Sequence, residues 1–249
     1  MELHLSDQNL IMKNGIVVLI ILGIAGCKQP QENKTQVQAA HQQLNAHTRT
    51  YEEIKKAIIA KRKLYAGKYS TLSMLDKTAS TDEITNYWVA TVGTDLYNEW
   101  EGTPWDFNGI TTEPRQGTIA CGYFVSTILK DMGLNISRQK LAVCPSSEMM
   151  RSLTPKQQLK NLSYLSYEDF CKALDHFGKG VYIIGLDFHT GIIVNDGKQC
   201  WLIHSNYIRH KGVMKEPVLN CAALRSSKTR WLISLTGDKK FLFRWLHSN

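Results

Sequence analysis

The stretch HTGIIVNDGKQCWLIHSN, residues 189–206, decides how the chain is read. Two apolar runs flank Asp196-Gly197, and Asp-Gly between such runs is a strong signal for a two-residue β-hairpin turn. With those two residues as the turn, Asn195 pairs with Lys198, Ile193 with Cys200, Gly191 with Leu202 and His189 with His204. Cross-strand partners share a face, with Cβ atoms about 4.5–5.5 Å apart. The two imidazoles are therefore expected directly opposite each other. One pair further out, Asp187 comes opposite Asn206, and Gly191 leaves room for another element to pack close by.

Working outward, VYIIGLDFHTGIIV (181–194), QCWLIHS (199–205), RWLISL (230–235) and FLFRWLH (241–247) are rich in β-branched and aromatic residues and read as strands. Upstream the period is helical. Phe124, Val125, Ile128, Leu129 and Met132 recur on one face, Gly133 supplies the stop, and Cys121 falls in the first turn. SYEDFCKALDHF (166–177) reads as a helix capped by Ser166 and stopped at Gly178. Thr50-x-x-Glu53 and Ser80-x-x-Glu83 are capping-box patterns. They open two further helices, one carrying Ile54, Ile58, Leu64 and Tyr65, the other Ile84, Trp88, Val92 and Leu96. Residues 101–117 have loop composition. Helices first and strands afterwards, with no internal repeat, predict an α+β fold with an antiparallel sheet.

With 249 residues and 43% hydrophobic composition, the chain has enough apolar surface for one ordinary domain or two small ones, which excludes wholesale disorder. Its N-terminus has a different character. Lys13 precedes an apolar run from Ile16 to Ile24, about half the roughly 20 residues that span a bilayer. Leu22-Gly23-Ile24-Ala25-Gly26-Cys27 resembles the lipobox of bacterial lipoproteins. Residues 1–26 are accordingly expected to be a signal peptide, with lipid on Cys27 anchoring the chain to a membrane in the cell envelope; Met1 and Met12 are both open as the start. The Gln- and Asn-rich segment 27–49 reads as a polar tether. That leaves 50–249 as a single domain with an N-terminal helical extension.

Removing residues 1–26 takes away Glu2, Asp7 and Lys13 and moves the formal net charge from +8 to +9. A basic surface favours anionic partners such as headgroups or acidic wall polymers, and export argues against nucleic acid. The oligomeric state is not legible. Five cysteines remain after Cys27: Cys121, Cys144, Cys171, Cys200 and Cys221. The odd number implies one free thiol, with the other four paired or buried. No C-x-x-C is present, so a zinc ribbon has no support.

Taken singly, Cys121, His189 and His204 are ordinary buried residues. Together they make a nucleophile, a base and an orienting group. A helix start and an imidazolium can each lower a cysteine pKa, to about 3.5–7.5 in known sites. Ala120-Cys121-Gly122-Tyr123-Phe124-Val125, His189-Thr190-Gly191-Ile192-Ile193-Val194 and Ile203-His204-Ser205, in that order, resemble the NlpC-type cell-wall peptidases of the papain-like superfamily. Those proteins read roughly D-C-S-G-F-V, H-V-G-I-Y-V and I-H. The resemblance runs from Trp105 to Asn206, with Ala120 in place of the family's Asp and Gly122 in place of its Ser.

The resemblance implies a papain-like domain and a cysteine hydrolase cleaving an amide bond in peptidoglycan peptides without a cofactor. In it Cys121 is the nucleophile, His189 the base and His204 its partner. The Cys121 N–H would bind the oxyanion, assisted by Gln116 or by Trp105 or Asn108. Asp187 and Asn206 are further candidates for substrate contact. An acyltransferase of the same superfamily is a close variant. Two other classes stay open: a zinc hydrolase using His189 and His204 with Asp187 or a cysteine, and a non-catalytic wall-binding lipoprotein with Trp100, Trp105 and Trp201 lining a groove.

Overall fold

The computed structural model describes residues 49–155 and 158–248. The segments expected to be a signal peptide and a tether, with Cys27, lie outside them through residue 48. The Thr50 capping box is formed: Thr50 Oγ1 accepts from Glu53 N at 3.3 Å and Glu53 Oε2 accepts from Thr50 N at 2.8 Å. It opens α1, Tyr51–Ser70, which buries Tyr51, Ile54, Ile58 and Tyr65. Leu64, expected on that face, is 63% exposed. Arg62 is buried instead and donates to the carbonyl oxygens of Trp245 and Ser248.

The second capping box is not formed. Helix α2 runs Met74–Ala90, so Ser80 sits inside it as a buried residue rather than ahead of it. The helical path continues through a π-helical turn, Thr91–Leu96, into α3, Tyr97–Trp100. Within that turn the Gly93 carbonyl accepts from Lys215 Nζ at 2.9 Å, a side-chain bond that ties the widened turn to the sheet.

Further along come α4 (Cys121–Asp131), α5 (Arg138–Val143), α6 (Ser146–Leu153), α7 (Tyr167–His176), α8 (Ala222–Ser226) and α9 (Lys239–Leu246). As the sequence predicts, α4 begins at Cys121, and Ser166 caps α7 by accepting from Asp169 N. The expected strand at 241–247 is α9. Phe241, Leu242, Trp245 and Leu246 are buried at i, i+1, i+4 and i+5, and the Asp238 side chain caps the helix start. Aromatic content suited a strand, but the spacing and the cap prevailed.

The fold is α+β around one antiparallel sheet in the order β1-β6-β2-β3-β4-β5. Its strands are β1 (Lys160–Asn161), β2 (Gly180–Gly185), β3 (Thr190–Asn195), β4 (Cys200–Asn206), β5 (Gly212–Pro217) and β6 (Trp231–Ser234). The run 181–194 is therefore two strands joined by a turn, closed by Leu186 N donating to the His189 carbonyl at 2.8 Å. Val181, Ile183, Ile192, Val194 and Ile203 pack with α1, α2, α4, α6 and α9, while Tyr182, Ile184, Ile193 and Leu202 pack with α7 and α8. Burial on both faces explains why these strands read as continuous apolar runs rather than alternating ones.

The β3–β4 register differs from the expectation by two residues. Asn195 pairs with Cys200, Val194 with Trp201 and Ile192 with Ile203, leaving Asp196–Gln199 as a four-residue loop. Asp196 stabilises that loop: its Oδ1 accepts from Lys198 N and Gln199 N, and its Oδ2 from Trp201 Nε1. Gly197 takes φ +91°, the left-handed region that favours glycine. A one-residue slip would have turned every side chain over, but a two-residue shift keeps each on its face. His189 and His204 are thus diagonal rather than directly opposite. All five described cysteines are free thiols, so no pairing among Cys144, Cys171, Cys200 and Cys221 is formed.

Candidate active site

Contacts to the segment just ahead of it place Cys121. Ile110 and Ile119 form a short antiparallel bridge, Ala120 N donates to the Gly109 carbonyl at 2.8 Å, and Ile119 N donates to that of Pro104 at 2.9 Å. Ser205 Oγ, on β4, donates to the Ile119 carbonyl at 2.6 Å. The nucleophile candidate therefore emerges from a clamped segment straight into α4. Gly122 stands where the resembled family has Ser because α5 leaves no room: a Cβ there would lie 2.1 Å from the Ala142 carbonyl oxygen.

Helix α4 packs on the face of Ile192 and Ile203, whereas His204 lies on the face of Leu202. The sequence reading set helix and histidines on one face. They come together instead at the strand ends, where His189 immediately precedes β3. Cys121 and His189 line the same two cavities, one of about 700 Å³ and one of about 380 Å³.

Behind His189 runs a chain of hydrogen bonds. His189 Nε2 is 2.7 Å from His204 Nδ1, and His204 Nε2 is 2.8 Å from Glu216 Oε1. Both imidazoles are buried. The carboxylate fixes every tautomer in the chain. Glu216 is held ionised, below the usual carboxyl range, chiefly by its bond to His204. It can only accept, so His204 carries its proton on Nε2 and presents a bare Nδ1. That nitrogen accepts from His189 Nε2–H, which leaves the lone pair of His189 on Nδ1. This Nδ1 is buried and has no hydrogen-bond partner among the described residues.

Electrostatics keep the pair neutral at rest. Burial, reinforced by His204, holds the His189 pKa well below its ordinary 6.5. Burial also depresses His204, against the raising effect of Glu216. Burial pushes the Cys121 thiol up, outweighing the backbone N–H groups of Thr190, Gly122 and Cys121 itself, which favour the thiolate. The expected lowered thiol pKa is therefore not found: desolvation exceeds the helix-start contribution.

The remaining candidates separate clearly. Trp105 and Asn108 line the larger cavity, and Trp105 Nε1 is a buried donor with no partner among the described residues. Gln116 is exposed and lines neither cavity with Cys121. Asp187 is not opposite Asn206; it lies in the β2–β3 turn, lining the smaller cavity, with its carboxylate accepting from Lys228 N, Thr229 N and Thr229 Oγ1. Asn206 is buried behind His204 and donates to Glu216 Oε1 at 3.2 Å, away from both cavities. Trp100 is a core residue bonded to Tyr51 and Trp201 stacks with Lys215, so no groove joins them to Trp105.

The expected zinc set does not assemble either. Two nitrogens on one tetrahedral zinc sit about 3.3 Å apart, whereas the facing His189 and His204 nitrogens are at hydrogen-bond separation. A different trio, His204, Glu216 and Cys221, gathers its ligand atoms within 4.8 Å.

Sequence reasoning missed Glu216, because its strand β5 was not recognised, and Tyr207, whose ring centroid lies 5.0 Å from that of His189. The one available signal for β5 was GVMKEP, a short half-apolar segment ending in Pro217, typical of an edge strand. No family model, curated protein or solved structure matches this chain.

Proposed function

We propose that the chain is a papain-like, NlpC-type cysteine hydrolase that opens an amide bond through a thioacyl intermediate on Cys121, exported and anchored to the cell envelope through lipid on Cys27. Peptidoglycan peptides are the substrate class that the resemblance implies. The observation carrying this reading is the bare, buried Nδ1 of His189, aligned by His204 and Glu216, beside the cavities that it shares with Cys121.

The thiol and imidazole start neutral, so attack and proton transfer are coupled. Cys121 Sγ bonds to the carbonyl carbon while its proton passes to His189 Nδ1, and the resulting imidazolium is stabilised through His204 by the Glu216 carboxylate. The Cys121 backbone N–H and the unpartnered Trp105 Nε1–H are the donors for the oxyanion. Collapse breaks the C–N bond, and His189 returns its proton to the leaving amine. Water then releases the acid and restores the thiol; an acyl acceptor in place of water makes the same intermediate a transferase.

Incubating the protein from residue 28 with peptidoglycan and identifying released fragments by mass tests this. Fragments lost on Cys121→Ala support it, and turnover that survives that change overturns it. The His204, Glu216 and Cys221 cluster favours a zinc reading as the second choice. That reading requires chelation to abolish turnover while Cys121→Ala remains active.

A further inference from the structure

The two cavities that meet at Cys121 and His189 differ in lining, the larger strongly apolar and the smaller mixed. The larger is walled by Phe107, Ile110, Tyr123, Val143, Phe188 and Tyr207. Phe107 is 79% exposed, Val143 72% and Phe188 94%, so large apolar side chains stand open to water around one reactive centre. Such a concentration marks a binding surface rather than chance exposure. Its wall is braced: Arg138 donates to the carbonyls of Ile110 and Thr111 and to Thr127 Oγ1 on α4, and stacks on Tyr123 at 4.8 Å. The smaller cavity shares Phe188 and carries Met149, Leu186 and Trp231, but it alone holds Ser146, Ser147, Thr229 and the Asp187 carboxylate.

From this asymmetry we infer that the substrate is an amide whose acyl half is an aliphatic chain seated in the aromatic-walled cavity and whose amine half leaves through the smaller one, past Asp187. The inference rests on the thiol-hydrolase reading and narrows its substrate class, placing N-acylated amides ahead of peptidoglycan peptides. Direction follows from the chemistry of departure. The leaving nitrogen takes one proton from His189 and departs as a neutral amine, gains a second from water to become an ammonium, and finds a counter-charge in the Asp187 carboxylate on that side. The acyl carbon stays on Cys121 Sγ, continuous with the apolar wall, until water cleaves the thioester.

The test uses straight-chain aldehydes, which add the Cys121 thiol across the carbonyl as a hemithioacetal and need no leaving group. Protection of Cys121 from iodoacetamide is measured by mass spectrometry for ethanal, butanal, hexanal and octanal. Burial of each methylene is expected to tighten protection about fourfold, so octanal, with six more methylenes, should exceed ethanal by about four thousandfold. Val143→Asp should flatten that series. A flat series in the unaltered protein, with Cys121 alkylation that slows on His189→Ala, overturns the acyl-chain inference and leaves the hydrolase reading standing. A slope unchanged by Val143→Asp also overturns it, because the chain then seats elsewhere. A Cys121 that is inert, or whose alkylation neither His189→Ala nor any aldehyde alters, overturns the hydrolase reading itself.

Discussion

The two ends of the side-chain relay differ in how completely they are hydrogen-bonded. At the Glu216 end one carboxylate oxygen accepts from His204 Nε2 at 2.8 Å and Asn206 Nδ2 at 3.2 Å, with the Cys221 thiol at 3.7 Å. At the cavity end, His189 Nδ1 is buried with no partner. An unsatisfied buried acceptor costs about 1–3 kcal/mol. Within the relay that cost falls on the atom that takes the proton in the proposed mechanism, while the groups that aim it are hydrogen-bonded. A histidine held only by packing would show no such gradient, and the gradient sets the order of expected mutational effects.

The sharpest break of the comparison is Cys121→Ala. It removes the bond-forming atom and should reduce amide turnover to background, while circular dichroism and substrate binding persist. His189→Ala takes away the bare acceptor itself and should lower kcat/KM by about 100- to 10,000-fold; a smaller loss would mean that the open end is not the working end.

At the saturated end effects should be graded. Glu216→Gln keeps an acceptor for His204 Nε2–H but removes the charge that stabilises the imidazolium, worth about 1.5 kcal/mol or about tenfold in kcat/KM with KM unchanged. The same change should shift the acid limb of the pH–rate profile. In the unaltered protein that limb is expected below pH 6.5, because burial holds His189 neutral past its ordinary value. Loss of the carboxylate, which raises His204, should carry the limb further toward acid. An unshifted limb would reduce Glu216 to a packing residue. Asn206→Ala removes only a long neutral donor and should cost about threefold, on the order of 0.7 kcal/mol.

Stability should follow the same buried histidines. His189 and His204 both have folded-state pKa values below their ordinary 6.5. The unfolded chain therefore binds more protons as pH falls through about 6.5, and folding free energy should decline below that pH. Urea midpoints between pH 7 and pH 5 measure this. A flat profile would show that the histidines gain compensating partners on protonation.

Much of the fold could be read before any coordinates. The capping of α1 and α7 depends on residues within four positions of each other, and the extent of α4 on its own apolar spacing, so local sequence determines them. The hairpin loop failed as a local reading because Asp196 and Trp201 bond across five residues, which favours a four-residue loop over the two-residue turn. Pairing of His189 with His204 survived that error only because the shift was even. What could not be read was Glu216, Tyr207 and the different linings of the two cavities. These arise from elements distant in the chain meeting at the sheet ends, and no spacing rule joins residue 189 to 207 or 216.

The borders of the sheet carry a separate consequence. Gly102 N donates to the Val213 carbonyl at 2.9 Å and Val213 N to that of Thr103 at 2.8 Å, so a loop is stitched along the outer side of β5. At the opposite border, β1 is only two residues long. A sheet with a hemmed selvedge on one side and a stub on the other offers little template for a neighbouring copy to extend. Molecules packed at high local density would therefore tend to stay separate folded units instead of knitting into fibres.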